Sequence, residues 1–93
     1  MGRCIVKIKD RYFLWSTVVD APISYGMDKH DIKMFLLRSI NYITAEIIDI
    51  SLERADENGC SFPQESLEEI LMCNRAGDDE TELTAEEIYD KYA

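Results

Sequence analysis

The segment YFLWSTVV, residues 12–19, carries apolar side chains at both of its alternating sets of positions. In an extended strand, successive side chains point to opposite faces of the sheet. Phe13 and Trp15 would therefore share one face, and Tyr12 and Leu14 the other. A strand with two apolar faces needs cover on both sides. This segment predicts a strand that is packed between other elements.

The residues before this strand complete a hairpin. The sequence CIVKIK at residues 4–9 alternates apolar with basic side chains, and a two-residue polar link separates it from residues 12–19. Two such runs predict an antiparallel β-hairpin. We expect the Asp-Ala-Pro sequence at residues 20–22 to end the second strand, because proline lacks the amide proton that a strand ladder needs.

Helical periodicity begins after Asp28, whose side chain can cap a helix N-terminus. Apolar residues recur at helical spacing beyond it and predict a helix over residues 29–40. The next stretch, residues 41–58, fits two interpretations. Its isoleucines form a helical stripe, but residues 48–52 alternate apolar with polar as a strand would. A helix is favoured because the stretch closes on Asn58-Gly59, a common left-handed helix end.

Two further helices are predicted from capping boxes, in which Ser or Thr precedes Glu or Gln by three positions. The first box is SFPQ at residues 61–64, and we expect its helix to have Asn74 on the inner face and to end at Gly77. The second is TAEE at residues 84–87, which opens a short C-terminal helix. With the hairpin, three or four helices predict an α+β fold.

The chain has the length of one small domain, residues 1–93, and shows no motif for catalysis or cofactor binding. Its only histidine, His30, falls in a helical first turn, and Cys4, Cys60 and Cys73 are widely spaced without a CxxC pair. An odd number of scattered cysteines is typical of reduced thiols. The sequence also lacks a signal peptide and the roughly 20 apolar residues that span a bilayer. We therefore expect a cytoplasmic protein that is not an enzyme and holds no cofactor or metal.

The net charge of −9 comes entirely from the second half of the chain. Residues 1–52 hold seven basic and six acidic side chains, while residues 53–93 hold three basic and thirteen acidic ones. Such a field repels nucleic acid and anionic membranes and attracts basic proteins. We therefore expect no direct nucleic-acid binding and no membrane binding, although acidic helices also serve solubility alone. The carboxylates expected to bind a partner are Glu65, Glu68, Glu69, Asp78, Asp79, Glu80, Glu82, Glu86 and Glu87.

Two stretches, WSTVVDAPISYGM at residues 15–27 and NRAGDDETELTAEEIYDKY at residues 74–92, resemble a group of small uncharacterised proteins of bacteriophages and prophages. The resemblance covers residues 4–27 and 51–92. It implies a setting in the bacterial host cell. Small acidic phage proteins are similar in size and charge to inhibitors of bacterial immunity, including anti-CRISPR proteins, and several of these occupy basic nucleic-acid channels with carboxylate-rich surfaces.

The leading interpretation is a protein-binding module that engages a basic host protein or ribonucleoprotein complex without catalysis. Tyr25 and Met27 join the carboxylates as candidate contacts, because Tyr and Met are enriched at interfaces. The loop that carries them fits display and burial equally well. The alternative is a phage structural or assembly protein that forms a homodimer through its apolar hairpin and this loop.

Overall fold

In the computed structural model, which describes residues 3–39, 44–62, 66–72 and 74–92, a three-stranded antiparallel sheet lies between two layers of helices. The strands, in the spatial order β1-β2-β3, are β1 Arg3–Ile8, β2 Arg11–Ser16 and β3 Ala21–Pro22. The helices are α1 Lys29–Ser39, α2 Ala45–Asn58, α3 Leu67–Leu71 and α4 Ala85–Lys91, with a 3-10 turn at Asp78–Glu80. Helices α1 and α2 cover one face of the sheet, and α3 and α4 cover the other. The predicted α+β fold is confirmed.

Both faces of β2 are buried, as its sequence predicts. Phe13 and Trp15 pack in one core with Ile88 of α4. On the opposite face, Tyr12 and Leu14 pack in a second core whose helical members are Ile32, Leu36, Ile48, Leu52 and Ala55. The alternation along a single strand therefore divides the interior into two cores, one under each helix layer.

The second strand is shorter than predicted, and a second hairpin follows it. β2 ends at Ser16, residues 17–20 form a turn, and β3 returns antiparallel with Ala21 opposite Ser16. The Ser16 hydroxyl accepts a hydrogen bond from the Val18 amide, and Asp20 adopts a φ of 54°. Serine and aspartate both favour such turns because their side chains bond nearby backbone groups. The predictions that residues 17–19 extend the strand and that residues 20–22 end it are wrong.

Helices α1, α2 and α4 agree with their predicted signals. The Asp28 carboxylate caps α1 by accepting from the Asp31 amide at 2.8 Å. The ambiguous stretch is helical from residue 45, and it closes on Gly59 with a φ of 81°. The capping box at Thr84 is present at the start of α4. Residues 40–43, which complete the predicted spans, lie outside the described residues.

Helix α3 begins later than predicted. Its N-cap is Ser66, which forms a complete capping box. Ser61 instead pairs with β1: its amide donates to the Ile5 carbonyl, and its hydroxyl accepts from the Ile5 amide at 2.8 Å. The predictions that Ser61 opens this helix and that the helix ends at Gly77 are therefore wrong. Gln64, the other member of the predicted box, lies outside the described residues.

Asn74 holds the irregular chain between α3 and α4. It lies beyond the end of α3, contrary to prediction, and is only 1% exposed. Its amide nitrogen donates to the carbonyls of Leu71 and Leu83, both at 2.8 Å. Its amide oxygen accepts from the backbone amides of Leu83 and Ala76. All four hydrogen-bonding positions of this side chain are therefore filled.

Substitution Asn74→Ala is expected to lower the free energy of unfolding by about 2–4 kcal/mol, because it leaves backbone groups without their partner in a buried place. Urea denaturation followed by Trp15 fluorescence measures this loss. The control Asn58→Ala, at the exposed end of α2, is expected to change the same free energy by less than about 0.5 kcal/mol. Equal losses for the two variants would contradict a structural role of Asn74.

Candidate functional site

An open apolar groove runs along the β3 edge of the sheet, and we call it the β3-edge groove. Its volume is about 620 Å³. Its lining residues are Pro22, Ile23, Ser24, Tyr25, Met27, Phe35 and Tyr92. Phe35 belongs to the α1–α2 layer and Tyr92 follows α4, so the groove lies where the two helix layers flank the sheet edge.

Residues 23–27, which follow β3 and run alongside β2, form the floor of the groove. The Ile23 amide donates to the Leu14 carbonyl at 2.7 Å, and the Leu14 amide donates to the Ser24 hydroxyl at 2.9 Å. Met27 and Tyr12 then exchange two backbone hydrogen bonds. This irregular segment is therefore held to β2 along its length and presents a defined surface outward.

The C-terminal end of the described chain closes one side of the groove. The Gly26 amide donates to the Tyr92 carbonyl at 2.7 Å, and the Tyr92 hydroxyl donates to the Ala76 carbonyl at 2.9 Å. Gly26 also passes close to the core, since a Cβ at this position would lie 2.9 Å from Phe13 Cζ. A side chain at position 26 would therefore press on Phe13 in the core and force a local shift.

The two candidate contacts of the loop differ in exposure. Tyr25 is 72% exposed at the groove, whereas Met27 is half-buried and packs against the core under α1 and α2. Ile23 beside them is 44% exposed. Outside the groove, Val18 on the β2–β3 turn is 75% exposed. Tyr25 and Ile23 are neighbours at the groove, and clustered exposed apolar side chains mark interaction sites more often than scattered ones do.

The predicted acidic residues gather in the layer that contains α3 and α4, residues 66–72 and 74–92, which we call the acidic layer. It holds two basic residues, Arg75 and Lys91, and nine exposed carboxylates. Eight of them are predicted contacts, Glu68, Glu69, Asp78, Asp79, Glu80, Glu82, Glu86 and Glu87, and the ninth, Asp90, was not predicted. The opposite helices, with their capping residues 28 and 44, hold seven acidic and four basic residues. Glu65 lies outside the described residues.

Several of these carboxylates have partners within the molecule. Ion pairs join Asp78 to Lys91 and Glu80 to Arg75, both at 3.3 Å, and Glu86 to Lys9 at 3.1 Å. Glu69 and Glu87 belong to capping boxes. Glu68, Asp79 and Glu82 make no ion pair with any described residue. Exposed pairs contribute only about 0–1 kcal/mol each, so the paired carboxylates remain open to exchange.

Arg75 joins the acidic layer to the β2–β3 turn. Its backbone amide donates to the Asp20 carbonyl at 2.8 Å, and its guanidinium donates to the Val18 carbonyl at 3.0 Å. The same guanidinium pairs with the carboxylates of Asp20 and Glu80. Residues 15–27 and residues 74–92 are therefore in direct contact.

On the opposite face of the sheet, Asp56 of α2 binds two lysine side chains. Its carboxylate pairs with Lys7 at 3.1 Å and Lys29 at 2.6 Å, and it accepts from the Tyr12 hydroxyl. Burial raises the pKa of Asp56, but the hydrogen bonds from Lys29, Tyr12 and Lys7 outweigh that effect and hold the pKa well below its ordinary value of 3.8. This cluster ties β1 and β2 to α1 and α2.

Other kinds of site find little support within the described ranges. No group of three or more His, Cys, Asp or Glu side chains there is placed to hold a metal ion. Cys4 and Cys60 are buried with their sulfur atoms 3.7 Å apart, and His30 is exposed on α1. No described helix has the length and apolar character to cross a membrane. The groove and the acidic layer remain the features that call for a functional explanation.

Comparison with protein-family models, with curated proteins and with solved structures finds no match to this chain. The phage resemblance therefore stays a prediction. Function has to be inferred from the groove and the charges themselves.

Substitution Asp56→Asn is expected to destabilise the protein by about 1–3 kcal/mol at pH 7, because two lysines lose their shared carboxylate. A folded-state pKa below the unfolded value means that this contribution is fully present above about pH 5 and declines as the pH falls below 4. The difference from wild type should therefore be constant above about pH 5 and shrink progressively as the pH falls below about 4. Urea denaturation at several pH values measures it.

The matched control for this experiment is Asp49→Asn, which removes the more exposed ion pair with Lys33. Its cost is expected to stay below about 1 kcal/mol. A difference between Asp56→Asn and wild type that is constant across the acid range would contradict the lowered pKa of Asp56.

Proposed function

We propose that this chain is a non-catalytic protein-binding module that holds a cationic partner protein at the β3-edge groove. The observation that carries the proposal is an apolar groove in which Tyr25, one of the lining residues, is 72% exposed. Tyr, Phe and Met are enriched where proteins bind one another, and exposed aromatic anchors often supply most of the binding energy. Tyr25, Phe35 and Met27 bring these residue types together.

The chemistry of the lining favours a protein partner over a small polar ligand. A volume of about 620 Å³ falls in the range of ligand sites, but such sites also converge several polar groups on the ligand. Here the Ser24 hydroxyl bonds Leu14 and Tyr25 backbone groups, and the Tyr92 hydroxyl bonds Ala76. The groove therefore offers apolar contact with few polar groups to orient a small molecule.

The negative net charge of the chain favours a basic protein over a second copy of the chain as the partner. A second copy of this chain would bring a net charge of −9 against another −9, and the two fields would repel. A cationic protein is attracted by the same field and meets nine exposed carboxylates in the acidic layer. Binding of a basic protein is thus favoured over self-association through the groove.

The phage resemblance supplies a setting for this proposal. Proteins that handle nucleic acid present arrays of Lys and Arg, and those arrays that hold phosphates also hold carboxylates. We therefore place the partner among basic host proteins or ribonucleoprotein complexes, including defence complexes of the bacterial cytoplasm. Occupying such a surface would inhibit it without any chemical step.

Substitution Tyr25→Ser is expected to weaken partner binding by about 30-fold or more, the effect of losing one central anchor. The matched control is Val18→Ser, which removes an equally exposed apolar group outside the groove. Immobilised wild type and both variants are exposed to bacterial lysate at low and high salt, and the bound proteins are quantified by mass spectrometry. Basic proteins retained by wild type and Val18→Ser at low salt, but lost with Tyr25→Ser, are the expected result.

Two outcomes would contradict the proposal. One is that all three proteins retain the same material to the same extent at both salt concentrations. The other is a salt-resistant dimer in sedimentation that Tyr25→Ser dissociates, which would establish self-association instead. Circular dichroism and urea denaturation of each variant check that the fold is intact.

A further inference from the structure

We infer that the partner enters the β3-edge groove as an amphipathic helix with a cationic outer face, and not as an added β-strand. This inference rests on the proposed function. It follows from the hydrogen-bonding state of the sheet edge, from the composition of the groove walls, and from the charges that surround the groove.

The β3 edge lacks a donor where a new strand would need one. In an antiparallel ladder, alternate residues direct their backbone groups to opposite sides. The Ile23 amide points inward to Leu14, so the neighbouring residue Pro22 presents its backbone to the open side. Proline has no N–H and is typical of edges that do not accept a further strand. Strand addition would therefore begin without a donor.

Backbone groups at the two ends of this edge, at Asp20 and Gly26, are also occupied. The Asp20 carbonyl accepts from the Arg75 amide at 2.8 Å, and the Gly26 amide donates to the Tyr92 carbonyl at 2.7 Å. The Met27 amide and carbonyl both bond Tyr12. Strand addition depends on a continuous row of open main-chain groups, and a strand laid here would leave some of its own groups unpaired at a cost of about 1–3 kcal/mol each.

A helix avoids this cost, because it satisfies its backbone hydrogen bonds internally. Helices that bind grooves use apolar side chains at positions i, i+3, i+4 and i+7 and need no main-chain contact. The β3-edge groove matches this mode because its surfaces are side chains: Phe35 on one wall, Tyr92 on the other, and Ile23 and Tyr25 between them.

Carboxylates lie on several of the elements that form the groove, and one cation, Arg11, lies beside its floor and donates to the Gly26 carbonyl at 3.4 Å. Asp31 is exposed one turn before Phe35, on the same face of α1, and Asp28 precedes that helix. Asp20 immediately precedes β3 and pairs with Arg75, and Tyr92 itself belongs to the acidic layer. The basic residue on this face of α1, Arg38, donates to the Met34 carbonyl. A helix seated here is attracted if its outward residues are Lys or Arg.

Two synthetic peptides of identical leucine and lysine composition test the inference. One places leucine at helical spacing, and the other alternates leucine with lysine as a strand would. Each is titrated into isotope-labelled wild type, Tyr25→Ser and Val18→Ser, with amide chemical shifts and circular dichroism recorded. We expect the helically spaced peptide to bind wild type at least about tenfold more tightly and to gain helicity. Its shifts should cluster at the groove, and Tyr25→Ser but not Val18→Ser should weaken it.

A third peptide, helically spaced with serine in place of leucine, measures binding by charge alone. If it binds as tightly as the leucine peptide, apolar anchoring is refuted. If the alternating peptide binds as well as the helical one and is weakened by Tyr25→Ser, the helix inference fails while the proposed groove function stands. If no peptide responds to Tyr25→Ser, the proposed function fails as well.

Discussion

The burial of β2 on both faces is the constraint on which the rest of the structure depends. Phe13 and Trp15 on one side and Tyr12 and Leu14 on the other demand two layers of cover, so a sheet of three strands becomes the centre of a sandwich. Such a sheet has two edges. The β1 edge is covered by the segment at residues 59–61, which hydrogen-bonds β1. The β3 edge has no comparable cover among the described residues, and the groove lies there.

The sequence correctly predicted the helix ends that depend on hydrogen bonds between neighbouring residues. Asp28, Gly59 and Thr84 end or begin helices through bonds made within a few residues of themselves. The errors arose where distant contacts decide. The patterns at residues 61–64 and 66–69 have the same spacing, and what distinguishes Ser61 is its pair of hydrogen bonds to Ile5 of β1, 56 residues away. Residues 17–19 favour a strand by composition, but the turn is held by Arg75, far along the chain.

The groove shows the same division between local and distant information. Tyr25 and Met27 were predicted as contacts from their residue types, and the structure separates them into an exposed and a half-buried residue. Phe35 and Tyr92 were not predicted as groove residues, because the sequence pattern places each of them on the inner face of its own helix. Their meeting at the β3 edge depends on the packing of two layers. The sequence predicted an acidic second half of the chain. The structure places α3 and α4 of that half on one face of the sheet, whereas Glu53, Asp56 and Glu57 of the same half lie on α2 in the opposite layer.

The groove and the carboxylates have separate tasks in the proposed complex. Exposed ion pairs such as Glu80–Arg75 and Asp78–Lys91 are weak, so an arriving cation displaces them at small cost. Long-range charge mainly raises the rate of association, whereas differences in affinity reside mostly in dissociation. The acidic layer would therefore determine how often a cationic partner arrives. Tyr25 and Phe35 would determine how long it stays, since apolar contact persists at salt concentrations that screen the charges.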